Sequence, residues 1–167
     1  MIIHMIKNII GFMLLVTVLS AENLTPKSIT GKNYHLEITS KRISIQEFPN
    51  KIIMLDFFST TCPPCIEEFP TLIKLQNSLK DNFQIIGIQS GSTSADKEIL
   101  KFAKKHKLNY PIINLNQAQK LINFAIEKTD WVGALPYKLL YHPKGTLSYK
   151  LYGTMDEKHL LKALGDL

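Results

Sequence analysis

Two stretches of the chain are almost continuously apolar. Residues 51–58 and 83–89 each hold a run of large aliphatic and aromatic side chains with few polar interruptions. Such a run predicts a strand that is covered on both faces of a sheet. Between them, residues 63–79 carry apolar side chains at roughly helical spacing, with proline in the first turn, where no hydrogen bond is lost. The order strand, helix, strand is a βαβ pattern.

Weaker patterns predict the remaining elements. Residues 34–39 and 42–47 alternate apolar and polar side chains around a short polar turn, which predicts an antiparallel hairpin. The other predicted elements are a helix at 95–107 capped by Ser94, a short strand at 111–115, a helix at 117–127, a hairpin formed by 137–141 and 146–152, and a helix at 156–164. This order predicts an α/β fold with a mixed central sheet flanked by helices and an N-terminal β-hairpin.

The first 21 residues differ from the rest of the chain. A short segment carrying Lys7 precedes an apolar stretch at 9–19 and then Ser20 and Ala21, which is the layout of a signal peptide. An uncleaved membrane anchor is the alternative, and both interpretations place the domain outside the cytoplasm, in the periplasm. Residues 22–32 are polar and aperiodic, which predicts a linker, and residues 33–167 are predicted to form one domain.

Composition and charge narrow the class of partner. The 167 residues are 45% hydrophobic, which favours one globular domain with a core of its own. Twenty basic against 14 acidic residues give a modest net charge of +6. The lysines between residues 101 and 107 alternate with apolar side chains, as on the solvated face of an amphipathic helix. No nucleic-acid partner is therefore predicted.

The two cysteines of the chain, Cys62 and Cys65, are separated by two prolines at the start of a predicted helix. A disulfide that closes so short a loop restricts the unfolded chain very little, so electron exchange is favoured over a structural bridge. Half of a zinc site and two unrelated thiols are the alternatives. A structural zinc site needs four ligands, but there is no second CxxC and the five histidines are scattered, so neither metal nor cofactor is predicted.

The segment around these cysteines resembles a known motif. Residues 57–70 read FFSTTCPPCIEEFP, which is similar to the F-W-A-T-W-C-P-P-C-x-x-E-x-P of the TlpA/ResA branch of extracytoplasmic thiol-disulfide oxidoreductases, in the thioredoxin superfamily. The later GALPY at residues 133–137 resembles the cis-proline loop of that branch, and the likeness covers about residues 33–167. Thr61 departs from the pattern, since the family usually has tryptophan there. The resemblance implies a thioredoxin-like fold and a redox-active disulfide.

Two acidic residues are candidates for the chemistry of the cysteines. Glu68 lies one helical turn after Cys65, and the resemblance implies that an acid here tunes the cysteines; the alternative is an ordinary surface glutamate. Asp56 ends a predicted buried strand, so its pKa should be raised by desolvation, and it could accept the proton of Cys65. A solvated strand end is the alternative for Asp56.

The resemblance also implies a binding site, and the residues between the cysteines indicate a direction of reaction. It implies a cis bond between Leu135 and Pro136 beside the cysteines, with the backbone of Leu135 open to a client strand. Cys62 at the helix N-terminus is expected to attack, and Cys65 to resolve the mixed disulfide. The two prolines between them supply no N–H to a thiolate, which favours a reductase.

The predicted partners are client proteins with disulfides or thiols and an upstream membrane electron donor. Apocytochrome c is a familiar client of the branch, so cytochrome c maturation is one implied setting. Two other functions stay open from the sequence: a DsbA-like disulfide oxidase, and a thioredoxin-fold binding module or metal chaperone without enzymatic activity.

Overall fold

The protein is described by a computed structural model that covers residues 21–39 and 42–167. The predicted signal peptide or anchor lies outside these residues except for Ala21. The strands are β1 (Glu22–Leu24), β2 (Leu36–Ile38), β3 (Ile43–Ile45), β4 (Ile52–Phe58), β5 (Phe83–Gln89), β6 (Ile112–Ile113), β7 (Tyr137–Tyr141) and β8 (Leu147–Tyr152). The helices are α1 (Pro63–Ser78), α2 (Asp96–Lys105), α3 (Leu115–Thr129) and α4 (Glu157–Gly165). No helix in this described part of the chain is both long and apolar enough to cross a bilayer.

The strands form two sheets. The larger has the order β6-β5-β4-β7-β8, with β4, β5 and β6 parallel and with β7 antiparallel to both β4 and β8. The smaller is an antiparallel sheet of β1, β2 and β3. The predicted mixed central sheet and N-terminal hairpin are therefore confirmed, and the hairpin of β2 and β3 gains a third strand.

The central strand β4 separates two layers of core, which explains its continuous apolar run. On one face, Met54 and Phe58 pack in a cluster with buried residues of α1, α2 and α4. On the other face, Leu55 and Phe57 pack in a cluster with α3 and the small sheet. Because successive side chains of a strand point to opposite faces, Asp56 lies between Met54 and Phe58 on the α1 side. This geometry brings the aspartate under the helix that carries both cysteines.

Residues 22–32, predicted to be a linker, contain a strand and buried side chains. Glu22–Leu24 pairs with β2, and the N–H of Ile29 donates to the carbonyl of Ile112 at the edge of the large sheet (2.9 Å). Leu24 and Ile29 are both buried. The local composition gives no sign of this strand, because the segment is held by hydrogen bonds to strands that come later in the chain. One of these strands lies more than 80 residues further on.

Most element boundaries agree with the sequence pattern to within two residues, and β5 and β7 agree at both ends. One predicted cap is wrong. Ser94 does not cap α2; the N-cap is Ala95, which has no side-chain hydrogen bond. The carbonyl of Ser94 instead accepts from the side-chain amide of Asn114, at 2.7 Å, which ties the start of α2 to the start of α3.

Candidate redox site

The two cysteines form a disulfide at the N-terminus of α1, with their Cα atoms 5.3 Å apart. Cys62 is the N-cap residue, and its sulfur accepts the backbone N–H of Cys65 at 3.3 Å. Pro63 and Pro64 occupy the first two helical positions, where they offer no N–H. Cys62 is half-buried, whereas Cys65 is 1% exposed. An approaching molecule therefore meets the sulfur of Cys62 first.

A second loop, residues 130–136, lies beside the helix N-terminus, and we call it the proline loop. The bond between Leu135 and Pro136 is cis, as the resemblance implies. The carbonyl of Pro136 accepts the N–H of Gly153 at 2.9 Å, and the hydroxyl of the next residue, Thr154, donates to the carbonyl of Pro64 at 3.4 Å. Residues 153 and 154 thus join the proline loop to the first turn of α1. The structure brings the predicted binding residues and the cysteines to one edge of the sheet.

The loop before Pro136 is held by an aromatic stack. Trp131 is buried, its ring lies parallel to that of Tyr137 with centroids 5.2 Å apart, and its N–H donates to the carbonyl of Ala134 at 2.7 Å. Asp130 and Gly133 have positive φ angles of 58° and 85°, so the chain turns sharply on either side. Val132 consequently projects outward and is 88% exposed. The loop therefore exposes the apolar side chain of Val132, while the contacts of Trp131 hold the loop backbone in place.

Both predicted acids are buried, so neither is the solvated side chain that the alternatives required. Asp56 is 1% exposed and Glu68 is 2% exposed. Between them lies Lys138 of β7, whose side chain is fully buried. Its Nζ donates to Oε2 of Glu68 at 2.5 Å and lies 3.8 Å from Oδ1 of Asp56. The site therefore contains a buried cluster of one lysine and two carboxylates, which we call the acid-lysine cluster.

The two carboxylates of the acid-lysine cluster are bonded differently. Glu68 also accepts the backbone N–H of Met155 at 3.0 Å, so each of its oxygens has a donor. Neither oxygen of Asp56 has a hydrogen-bond partner within residues 21–39 and 42–167. Burial raises the pKa of Asp56 from its ordinary value of 3.8 to about 6; the Lys138 ammonium lowers it and the Glu68 carboxylate raises it. Asp56 can thus gain and lose a proton near neutral pH.

Tyr110 covers the far side of the cluster. The strand residue paired with Asp56 on β5 is Gly87, and a β-carbon there would meet the Tyr110 ring at 3.3 Å. Glycine thus leaves room for the ring beside Asp56. The Tyr110 hydroxyl has no hydrogen-bond partner in the described part of the chain. Burial raises the pKa of Tyr110 well above its ordinary value, and the Asp56 and Glu68 carboxylates raise it further.

Sequence reasoning missed Lys138, Tyr110 and the role of Met155. One signal was present: Lys138 interrupts the apolar run of residues 137–141, a strand that the order of elements places inside the sheet. A lysine is almost never fully buried unless it is paired, so its position pointed to a buried acid. Which acid it meets depends on the pairing of β7 with β4, which local sequence does not show.

Known proteins resemble this chain over most of its length. The thiol-disulfide oxidoreductase ResA of Bacillus subtilis is 25% identical over 150 residues, which cover 89% of this chain and 79% of ResA. A thiol:disulfide interchange protein of Chlorobium tepidum superposes with a TM-score of 0.70 at 18% identity, covering 87% of this chain and 93% of its own. A secreted Mycobacterium tuberculosis disulfide oxidoreductase homologous to E. coli DsbE gives a TM-score of 0.62 at 17% identity, with 86% and 96% covered.

These likenesses confirm the thioredoxin-like fold and the resemblance to ResA. The relatives named for the activity, together with the Cys62–Cys65 disulfide, mark the protein as a thiol-disulfide oxidoreductase. The AhpC/TSA family profile matches residues 27–150, which is most of the chain and includes the whole of the candidate site up to β7. The chain therefore belongs to the AhpC/TSA family.

Proposed function

We propose that this oxidoreductase works in the periplasm as a reductase of disulfides in client proteins. The observation that supports this best is the position of the two sulfurs. Cys62 is the accessible N-cap of α1, and Cys65 lies behind it in the core, in one cluster with Met54 and Phe58, which flank Asp56 on the α1 side of β4. A nucleophile at the surface with a buried resolving thiol is the arrangement that two-step disulfide exchange requires.

The reaction begins with the reduced protein. The Cys62 thiolate attacks one sulfur of the client disulfide, a mixed disulfide forms, and the other client sulfur leaves as a thiolate that takes a proton from water. The Cys65 thiol then gives its proton to the Asp56 carboxylate, and its sulfur attacks the sulfur of Cys62. This step releases the second client thiolate. The client disulfide has gained two electrons, and the protein is left with the Cys62–Cys65 disulfide.

Asp56 suits the role of proton acceptor for physical reasons. It lies on the α1 side of β4, between two residues of the same cluster that contains Cys65. Its pKa of about 6 leaves the carboxylate charged at neutral pH yet basic enough to hold a proton briefly. Neither of its oxygens is engaged by a donor in the described residues, so the group is free to accept one.

The donors around Cys62 support this direction of electron flow. Within the described residues, the one N–H that contacts its sulfur belongs to Cys65, since Pro63 and Pro64 have none. Because the thiolate has so few donors, it is stabilised only weakly. The reduced form is then less favoured and the pair of cysteines is more reducing. This supports a reductase over a disulfide oxidase. Glu68, whose oxygens are held by Lys138 and Met155, would influence the cysteines through its charge and through the loop that it anchors.

The client would bind along the proline loop. Pro136 has no N–H, and the backbone of Leu135 has no hydrogen-bond partner among the described residues, so an extended client segment can pair there. Leu135 packs in the same cluster as Cys62, which keeps such a segment close to the attacking sulfur. Apocytochrome c is one client class that fits, and a membrane protein would supply the electrons. The secreted relative from Mycobacterium tuberculosis and the N-terminal sequence support the extracytoplasmic location.

The redox state of the protein in cells tests this proposal. Cells are treated with acid to trap thiols, and free cysteines are then alkylated with a reagent that changes electrophoretic mobility. A reductase is kept mostly in the dithiol form, so both cysteines should be alkylated. A protein found mostly as the disulfide would contradict the proposal and indicate an oxidase. A Cys62→Ser/Cys65→Ser variant marks the position of the unmodified band.

A further inference from the structure

The acid-lysine cluster contains a fully buried lysine in the middle of a sheet. Lys138 sits in β7 between β4 and β8, and its neighbours in the strand are tyrosines and leucines. Burying an ammonium costs far more than burying a hydrocarbon side chain, even where the charge is paired. A leucine or methionine would fill this position of a buried strand at lower cost. The lysine is therefore better explained by what its charge does.

Its charge acts on two carboxylates unequally. Lys138 donates a hydrogen bond to Glu68 at 2.5 Å, and the second Glu68 oxygen accepts the N–H of Met155. Asp56 lies 3.8 Å from the same ammonium, which is within range of its field but beyond hydrogen-bonding distance. Glu68 thus fixes the position of the ammonium, while Asp56 feels the charge and keeps its oxygens unbonded within the described residues.

The charged and titratable groups that act on Asp56 come from three parts of the chain. They are Lys138 of β7, Glu68 of α1 and Tyr110 before β6; the facing residue of β5 is Gly87, which has no side chain. Cys65 lies on the same helix as Glu68 and in one cluster with Met54 and Phe58, the residues on either side of Asp56 on that face of β4. Lys138 is the one cation among them. Its charge favours the ionised form of Asp56, and the charge of Glu68 opposes it. The balance between these two neighbours decides when Asp56 is ready to accept a proton.

We propose that Lys138 is a positioning residue of the redox reaction: held in place by Glu68, its ammonium sets the pH range in which Asp56 takes the proton of Cys65. This inference rests on the proposed function, because it concerns the step in which Cys65 attacks the mixed disulfide. Without Lys138, Asp56 holds its proton to a higher pH, so at neutral pH a smaller share of the molecules has a carboxylate that can accept the proton of Cys65. Cys65 then remains a thiol, and the client is released slowly.

The titration of Asp56 tests the electrostatic part directly. Its side-chain carboxyl carbon is followed by ¹³C NMR in the disulfide form, with Asp56→Asn to assign the signal. In Lys138→Met we expect the midpoint to rise by at least about one pH unit, a tenfold change in proton affinity. In Glu68→Gln it should fall. The double variant should lie between wild type and Lys138→Met, since the opposing charge has been removed as well.

This order of midpoints separates an electrostatic role from a packing role. Midpoints of Lys138→Met and wild type that agree within about 0.3 units would overturn the proposal. If Lys138→Met does not fold, the double variant, which leaves no unbalanced charge, still decides: its midpoint must lie above that of Glu68→Gln, from which it differs only at Lys138. A midpoint at or below that of Glu68→Gln overturns the proposal.

A kinetic measurement tests the link to the reaction. Release of client from the mixed disulfide is followed in a single turnover across pH. We expect the profile of Lys138→Met to move to higher pH in step with the Asp56 midpoint; a uniform loss of rate with an unmoved profile would overturn the proposal. A wild-type protein that reduces no client disulfide would refute the proposed function instead, and the NMR titration would still decide the role of Lys138.

Discussion

Lys138 and Asp56 are directly paired residues of the antiparallel strands β7 and β4, and the lysine Nζ lies 3.8 Å from the aspartate carboxylate. This pairing puts a cation and an acid next to each other in the centre of the sheet, under the helix that carries the disulfide. The attraction offsets part of the desolvation cost of the carboxylate, so Asp56 has a pKa of about 6. A buried acid with such a pKa affects both stability and catalysis.

Asp56 should make the disulfide form less stable as pH rises. The pKa of Asp56 is raised from 3.8 to about 6, so the folded state binds the proton more tightly than the unfolded state. Stability is therefore fully retained below about pH 4 and falls as pH rises through about 6, by about 3 kcal/mol in total once the pH is above about 7. Urea unfolding across this range should show the loss in wild type.

Substitution of the same residue supplies the matched comparison. Asp56→Asn removes the titrating group, so the free energy of unfolding should lose this pH dependence and, above about pH 7, exceed that of wild type. Asp81→Asn changes an exposed aspartate and should leave the wild-type dependence in place. An Asp56→Asn protein that loses stability in parallel with wild type between pH 4 and 6 would show that another group is responsible.

Cys62 should be the thiol that attacks the client, because it is the accessible N-cap while Cys65 is buried. In Cys65→Ser the attack still occurs but resolution is blocked, so mixed disulfides should accumulate and be visible on non-reducing gels. In Cys62→Ser they should be absent or rare. Equal trapping by the two variants would exclude a dedicated attacking cysteine.

The strongest elements could be predicted from the sequence because their patterns are local. The apolar runs of β4 and β5 and the helical spacing of α1 are set within a few residues, and they place Cys62 and Cys65 correctly at a helix N-terminus. The burial of Asp56 follows in the same way, since it lies inside an apolar run. Such patterns predict whether a residue is buried or exposed within its own strand or helix.

Contacts between distant elements could not be predicted in this way. Lys138 meets Asp56 because β7 pairs with β4 in one register, and a shift of one residue would turn the lysine to the other face. β1 forms because β2 offers an edge, although residues 22–32 have no strand pattern of their own. The anchoring of Glu68 by Met155 depends on where α4 begins. These features arise from tertiary pairing.

The pair of cysteines should have a reducing potential. Thioredoxin, at roughly −270 mV, is the nearer reference, and a measured value above about −180 mV, that of protein disulfide isomerase, would contradict a reductase. Pro64→Ala restores an N–H at the second helical position, where it can donate to the Cys62 sulfur. It should stabilise the thiolate and raise the potential by on the order of 30 mV.

The helix itself provides the control for this change. Pro70 is an exposed proline inside α1, well after both cysteines. Pro70→Ala adds an N–H to the same helix but away from the sulfurs, so the potential should stay at the wild-type value. The reduction potentials of wild type, Pro64→Ala and Pro70→Ala are measured by equilibration with dithiothreitol. An unchanged potential in Pro64→Ala would mean that the missing donors do not set the redox balance.

Gly91 should be required for the loop that leads to the cysteines. A β-carbon at Gly91 would overlap the Cβ and Oγ of Ser59. Ser59 Oγ in turn accepts the N–H of Thr61 at 3.3 Å, next to Cys62. Gly91→Ala should therefore displace this loop, slow the attack of Cys62, and lower stability by about 1–3 kcal/mol. Gly165→Ala, where the added carbon meets nothing within 4 Å, should leave both rate and stability almost unchanged.

Glu68 should influence the cysteines through its charge. Glu68→Gln removes a buried negative charge one turn from Cys65 and leaves the Lys138 ammonium without its main partner, so a thiolate nearby becomes more favourable. The midpoint of thiolate formation by Cys62 should fall relative to wild type. Ultraviolet absorbance of the thiolate, recorded across pH in the reduced protein, measures it.

Glu67 offers a matched control for that measurement, because it is the adjacent glutamate of the same helix but is exposed. Glu67→Gln makes the same change of net charge at a position that water screens, so its curve should follow that of wild type. A shift confined to Glu68→Gln would assign the effect to the buried site. Superimposable curves for both variants would leave Glu68 as an anchor for Lys138 and Met155 with no influence on the thiols.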